Sequence, residues 1–220
     1  MKNSLFDIGR IAKAIVQEIK IKKLYMDYKH YTMVPYPSFR DNIKLILNYN
    51  LPKGDIVECG VWKGGMIASI AKILGNNRHY YLFDSFEGLP LVKDIDGKAA
   101  YEWQKNNTFN NCIISEDFAQ QAMKKSHINN YKIIKGYFEN TLKDTEIKEV
   151  ALLRLDADWY DSTMICLKEL FPKVTNNGLI IIDDYYHWDG CSKAVHDFLS
   201  KYKLPHKIRC TRNGVAYIIK

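Results

Sequence analysis

Four aspartates stand at the ends of two apolar runs. Residues 150–155 (VALLRL) lead into Asp156-Ala157-Asp158, and residues 179–182 (LIII) lead into Asp183-Asp184. Carboxylates crowded after buried strands are costly unless a cation compensates them. Their hard oxygen donors suit Mg²⁺, Mn²⁺ or Ca²⁺ rather than zinc. The competing reading is that some of them only cap following helices. Asp161 and Ser162 are better placed to cap a helix expected from residue 163, so Asp156 and Asp158 need another role.

A second constellation lies earlier. The run 55–60 (DIVECG) continues as Val61-Trp62-Lys63-Gly64-Gly65. Gly60, Gly64 and Gly65 let backbone approach a ligand ahead of a helix. The spacing G-x-x-x-G-G is not the dinucleotide fingerprint, and such a turn can also be a plain strand–helix connection. Asp84-Ser85 follows a second apolar run 24 residues after Gly60. An acid at that distance can accept hydrogen bonds from ribose hydroxyls, unless it is only a helix cap. Together the two features suggest a nucleoside-containing cofactor.

Strands and helices alternate around these residues. Strands are expected at 55–60, 79–83, 131–138, 150–155 and 179–182, the last entered by a turn at Asn177-Gly178. Helices are expected at 66–74, 116–125, 162–171 and 191–202. A loop holds Pro35 and Pro37, and residues 88–115 read as an irregular active-site loop. Short strands at 207–210 and 215–219 flank Asn213-Gly214, a hairpin signal. The order predicts an α/β fold with a parallel sheet and a terminal antiparallel hairpin, with ligands beyond the carboxyl ends of the strands. Residues 4–25 repeat Leu5, Ile8, Ile11, Ala12, Ile15, Val16 and Ile19 at helical spacing, with Ser4 as a cap and Asp7 three residues on. This amphipathic helix (the unit 1–30) is a lid or subunit contact, or a peripheral membrane helix; 31–220 form the catalytic domain.

The composition, 47% apolar with 15 tyrosines, excludes a disordered chain. The five cysteines (59, 112, 166, 191, 210) are odd in number and without a C-x-x-C, which argues against a disulfide framework or a cysteine zinc site. Asp7, Arg10 and Lys13 interrupt any signal-peptide core, so a cytoplasmic location is expected. The net charge of +7 would suit an anionic partner. The charge sits at the ends, however: residues 1–30 carry net +4, residues 190–220 net +6, and the segment between them is net negative. The expected cleft is therefore acidic, which argues against nucleic acid there.

The sequence resembles the macrocin O-methyltransferase family of metal-dependent sugar O-methyltransferases. The resemblance rests on TMV (32–34), GDIVECGVWKGG (54–65), DSFEGLP (84–90), KGYFENTL (135–142), LRLDADWYDST (153–163), IIDDY (181–185) and GCSKAVHDF (190–198). It implies a class I methyltransferase fold, Rossmann-like, with a mostly parallel seven-stranded sheet, and S-adenosylmethionine as methyl donor. It implies that Asp156, Asp183 and Asp184 hold the metal and that Asp158 is the general base. Asp84 and Ser85 match the nucleoside-binding turn, and Glu58 and Gly60 line the cofactor's other side. The expected cofactor set also includes Trp62, Gly64, Asp117, Gly136, Tyr137 and Asp156. This chain has Ala157 where the family motif has glycine and Cys59 where threonine is frequent. Its segments 88–115 and 188–189 depart most from the pattern, and these shape the acceptor pocket.

The leading expectation is a Mg²⁺-dependent methyl transfer to a sugar or glycan hydroxyl, with vicinal hydroxyls chelating the metal, by a homo-oligomer. The alternatives are a catechol-type acceptor, a metal-dependent phosphoester hydrolase, or a nucleic-acid-binding module. His187, Tyr186 and Trp188 are candidates for touching the acceptor, whereas His196 reads as a packing or surface histidine.

Overall fold

The computed structural model describes residues 2–107, 111–143 and 145–220, with side chains from Ala12 onward. Seven strands form one sheet: β1 (Asp55–Cys59), β2 (Tyr80–Asp84), β3 (Tyr131–Lys135), β4 (Val150–Leu155), β5 (Val174–Ile182), β6 (Arg209–Cys210) and β7 (Ala216–Ile219). Their order is β3-β2-β1-β4-β5-β7-β6. The first five are parallel and β7 runs antiparallel to β5. The class I methyltransferase topology and the terminal hairpin are thus both present.

Side chains alternate between two cores, as the period of a strand requires. Ile56, Leu82, Leu152 and Ile181 face one core, under α1 (Lys2–Tyr28), α2 (Tyr36–Asn48), α3 (Gly65–Leu74) and α5 (Asp117–Ser126). Val57, Phe83, Leu153 and Ile182 face the other, under α7 (Tyr160–Leu170) and α8 (Asp189–Lys201). Two further helices, α4 (Gly97–Asn106) and α6 (Phe138–Thr141), lie in connections at the carboxyl ends of the strands. Burial on both faces explains why these strands read as near-continuous apolar runs.

Several local expectations change. The Pro35–Pro37 segment opens α2, because proline in the first turn loses no helical hydrogen bond. The segment 88–115 is not wholly irregular: it contains a 3-10 turn at Asp94–Asp96 and then α4. Residues 108–110 lie outside the described residues. Asn177-Gly178 is no strand entry, since β5 runs through it, with Asn177 at φ 62 and a register shift against β4. Helix α7 begins at Tyr160 rather than 162, and its first amide is capped from elsewhere in the chain. In α1 the residues that pack on the body are Ile21, Leu24 and Tyr28, whereas Ile15, Val16 and Ile19 are exposed, Ile19 by 63%. The Ser4 cap and the stripe residues Leu5, Ile8 and Ile11 lie outside the described side chains. No described helix is long and apolar enough to cross a membrane.

Candidate active site

The carboxyl ends of β1, β2, β4 and β5 open into a cavity of about 710 Å³. That is room for a nucleoside and an acceptor together. Gly60 follows β1 at φ 86, where an added Cβ would lie 1.7 Å from the Asp156 carbonyl oxygen. Only glycine lets β1 and β4 finish this close together and bring their terminal acids to one floor.

On that floor, Asp156, Asp183 and Asp184 each offer a carboxylate oxygen, all within 4.8 Å of one another. Beneath them Arg154, 1% exposed, projects from β4. Its Nη1 donates to Asp156 Oδ2 at 2.8 Å and to Glu58 Oε1. Its Nη2 lies 2.7 Å from Asp183 Oδ1, off the N–H axis, so that contact is Coulombic. One cation thus faces several buried carboxyls, and Glu58 Oε2 is buried without a partner among the described residues. Burial pushes Glu58 up to about 8 against the opposing pull of Arg154. Burial also pushes Asp156 to about 6, and burial with the charge of Asp158 raises Asp184 far above the carboxylate range. A second positive charge is what such a cluster lacks. Three convergent hard oxygen donors, with Asp156 Oδ2 and Asp183 Oδ1 already turned to Arg154, fit a divalent oxophilic cation.

Asp158 stands at the rim of this cluster at φ 55. Its N–H donates to Asp184 Oδ2 at 3.1 Å, and its Oδ1 accepts the Trp188 indole N–H at 3.0 Å. Burial and the neighbouring Asp156 raise its carboxyl to about 8. A carboxyl held this far up has the proton affinity of a base poised for neutral pH.

At the other end of the cavity, Asp84 Oδ2 accepts Trp62 N–H and Oδ1 accepts Phe86 N–H, both at 2.7 Å. Trp62 and Phe86 both have positive φ, so the carboxylate is the hub of two tight turns. A carboxylate has about four acceptor sites, which leaves two for ligand hydroxyls. Ser85 lines the cavity, but its hydroxyl closes the following turn, donating to Gly88 O and accepting from Glu87 N–H. Gly136 and Tyr137 complete this side.

Of the expected residues, Glu58, Gly60, Trp62, Asp84, Ser85, Gly136, Tyr137, Asp156, Asp158, Asp183 and Asp184 line one cavity. Gly64 and Asp117 do not. Gly64 packs against Ala119 of α5, and Asp117 is exposed at the start of α5, bonded to Ser115. His187 and Trp188 line the cavity too. Tyr186 is exposed, and His196 bonds Tyr185 on the far side.

The lining also includes residues not singled out in the sequence, among them Cys112, Asp96 and Trp103. Cys112 reaches the cavity, where burial and then Asp158 raise its thiol to about 12, so it stays protonated. Asp96 and Trp103 come from the 88–106 segment, whose helix the glycines and prolines around it concealed. Asp96, buried before α4, accepts from Tyr160 N–H at 2.7 Å and so caps α7. The expected caps are elsewhere: Asp161 pairs with Lys93. Gln104 ties the segment to itself through Val92 N–H and Pro90 O. Trp103, Trp159 and Trp188 then meet edge-on, with ring centroids 5.3–6.3 Å apart.

The sequence and the fold have known counterparts. Residues 29–218 match the macrocin-O-methyltransferase (TylF) family. The chain is similar to demethyldecarbamoylnovobiocin O-methyltransferase of Streptomyces niveus, at 31% identity over 82% of this chain and 71% of that protein. It is similar to 8-demethyl-8-(2,3-dimethoxy-alpha-L-rhamnosyl)-tetracenomycin-C 4'-O-methyltransferase of Streptomyces olivaceus, at 30% identity over 76% of this chain and 65% of that one. Among solved structures, the O-methyltransferase NovP aligns with a TM-score of 0.74 and 26% identity, over 86% of this chain and 82% of that one. The calicheamicin methyltransferase CalS11 shares the fold, with a TM-score of 0.62 and 19% identity over 94% of this chain and 92% of that one.

Proposed function

Since the chain belongs to the macrocin O-methyltransferase family and is an O-methyltransferase, we propose that it methylates a sugar hydroxyl, using S-adenosylmethionine, a divalent cation such as Mg²⁺, and Asp158 as general base. The observation that carries this reading is the single cavity that joins Asp84, the triad Asp156, Asp183 and Asp184, and Asp158. The relative named for a rhamnosyl-tetracenomycin supports a sugar as the acceptor class. Family membership supports a methyltransferase over a hydrolase or a non-catalytic binding module.

Asp84 would accept the ribose hydroxyls of the donor at its two remaining acceptor sites, while its bonds to Trp62 and Phe86 keep the turn in shape. Asp156, Asp183 and Asp184 would hold the cation, and Arg154 fixes the orientation of two of them from below. When bound, the cation supplies Lewis-acid polarisation of neighbouring acceptor hydroxyls, and the sulfonium donor supplies an electrophilic methyl group. In the transfer the acceptor O–H bond breaks, its proton passes to Asp158, an O–CH₃ bond forms and the S–CH₃ bond breaks. Asp158 must be ionised to take that proton, and positive charge beside it favours the ionised form.

Thermal shifts with S-adenosylmethionine, S-adenosylhomocysteine and Mg²⁺ test the reading, followed by methyl transfer to a panel of sugar acceptors. Stabilisation by both nucleosides, and turnover that EDTA abolishes, are expected. No shift with either nucleoside would sink the donor assignment, and full turnover after EDTA treatment would sink the metal's role.

A further inference from the structure

Trp188 stands where β5 has delivered Asp184 and α8 begins. The turn 184–188 is closed by His187 N–H and Trp188 N–H donating to the Asp184 carbonyl, at 2.9 and 3.0 Å. The Trp188 indole is therefore tied through five residues to a proposed metal ligand. The indole packs edge-on against Trp159, the residue next to Asp158, and Trp159 is itself anchored by its Nε1–H to Pro90 O at 3.0 Å. Trp103 of α4 closes the cluster on its remaining side. A ring held by two others has little freedom to turn, so its single N–H has one direction. That direction is Asp158 Oδ1.

The geometry points to Trp188 as a positioning residue for the proton transfer: its indole N–H fixes the Asp158 carboxylate so that Oδ2, not Oδ1, faces the acceptor. Asp158 is gripped twice, by Trp188 on Oδ1 and through its own N–H on Asp184 Oδ2, and Oδ2 has no partner among the described residues. The 88–106 segment would thus do more than wall the acceptor pocket. Through Trp103 and Pro90 it braces the tryptophan that aims the base. The inference rests on Asp158 being that base.

Trp188→Phe keeps an edge-on ring and deletes the donor. A reacting group misplaced by about 1 Å loses on the order of 100-fold in rate. The expected result is a fall in kcat of about 10- to 100-fold, with acceptor KM within about threefold and S-adenosylhomocysteine affinity unchanged. In an Asp158→Asn background the same substitution should cost nothing further, because the group it aims is gone. A loss confined to KM, or kcat within twofold of the parent while Asp158→Asn is inactive, would make Trp188 a wall only and overturn the proposal. Full activity of Asp158→Asn would instead remove the reading on which it rests. A second readout does not depend on the phenylalanine variant folding. In ¹⁵N-labelled protein held at about pH 9 with saturating Mg²⁺, where the carboxylate is ionised, the Trp188 indole proton should move upfield on Asp158→Asn, as a charged acceptor is replaced by a neutral one. An unmoved resonance also overturns the proposal.

Discussion

The Arg154 guanidinium lies 2.7 Å from the Asp183 carboxylate, in the floor of a cavity that asks three acids to converge. Burial alone would lower the pKa of Arg154, but Asp156, Asp183 and Glu58 raise it well above its ordinary value. Arg154 is thus a permanent charge built into the fold. It makes the carboxylate cluster tolerable before any ligand arrives and turns Asp156 and Asp183, two of the three proposed metal ligands, toward fixed directions.

Replacing it exposes that role. Arg154→Met keeps apolar bulk but leaves Glu58, Asp156 and Asp183 without their buried counter-charge. Loss of one partner from a buried ion pair costs roughly 3–5 kcal/mol. Urea denaturation near pH 8 should show a loss of that size. The loss should shrink in mildly acidic buffer, where the acids take up protons instead of standing unpaired. A variant as stable as the parent at both pH values would mean that the acids are not charged in the parent.

The same acids give stability a direction with pH. Unfolded carboxyls titrate near 4, whereas burial holds Asp156 at about 6 and Glu58 and Asp158 at about 8 in the folded chain. Between those values the folded state carries more protons than the unfolded state. Stability of the metal-free protein therefore falls as pH rises through this window. Mg²⁺ binds ionised carboxylates, so its stabilising shift should be larger above pH 8 than at pH 6. Melting temperatures with Mg²⁺ and with EDTA across this range would check both trends. A Mg²⁺ shift that shrank with rising pH would contradict the assignment of these residues as its site.

What could be read in the sequence follows from how local each signal is. Asp156, Asp183 and Asp184 stood out because each ends an apolar strand, and parallel strands gather their carboxyl ends at one edge. Arg154 did not stand out: in VALLRL it looks like one polar interruption, and its meaning depends on Glu58 and Asp183 arriving from two other strands. Asp96 and Trp103 were hidden for a different reason. Gly88, Pro90 and Gly97 punctuate the chain so densely that the ten-residue helix starting at Gly97 is easily read as more loop. Helix α2 was hidden by Pro35 and Pro37, which start a helix as readily as they break one. In α1 the repeat is plain, but the period alone does not say which stripe meets the body. The stripe at Ile21, Leu24 and Tyr28 does, and the one at Ile15 and Ile19 does not.

Asp96 offers a test of the segment that the sequence concealed. Its Oδ1 caps α7 at Tyr160 and its Oδ2 accepts Lys93 N–H at 2.8 Å, so it fastens the 88–106 segment to the strand end that carries Asp158. The fit is close, since a Cβ on Gly190 would sit 2.4 Å from Asp96 Oδ1. Asp96→Ala should cost about 1–2 kcal/mol as a lost helix cap. It should also raise acceptor KM more than donor KM if the segment walls the acceptor, as proposed. Equal effects on both would place the segment's influence elsewhere.

The pH dependence of turnover bears on Asp158 as the proposed base. Asp158 accepts a proton only when ionised, and burial together with the charge of Asp156 holds its carboxyl at about 8. Below that point the ionised fraction grows tenfold per pH unit, so kcat should climb with pH and reach a plateau rather than fall. Positive charge held by Asp156, Asp183 and Asp184 favours the ionised form of their neighbour, so saturating Mg²⁺ should bring the midpoint below 8. Asp183→Asn weakens the hold on that charge, and its residual activity should need a higher pH and more Mg²⁺ for the same rate. Asp158→Asn removes the acceptor of the proton, and kcat should drop by about 10²- to 10⁴-fold with the rising limb gone. The profile is measured at saturating donor and acceptor, at two Mg²⁺ concentrations. If the parent's kcat did not rise with pH at the lower Mg²⁺ concentration, or if its midpoint were the same at both, proton transfer to a buried carboxylate beside the proposed metal site could not be the step that Asp158 serves.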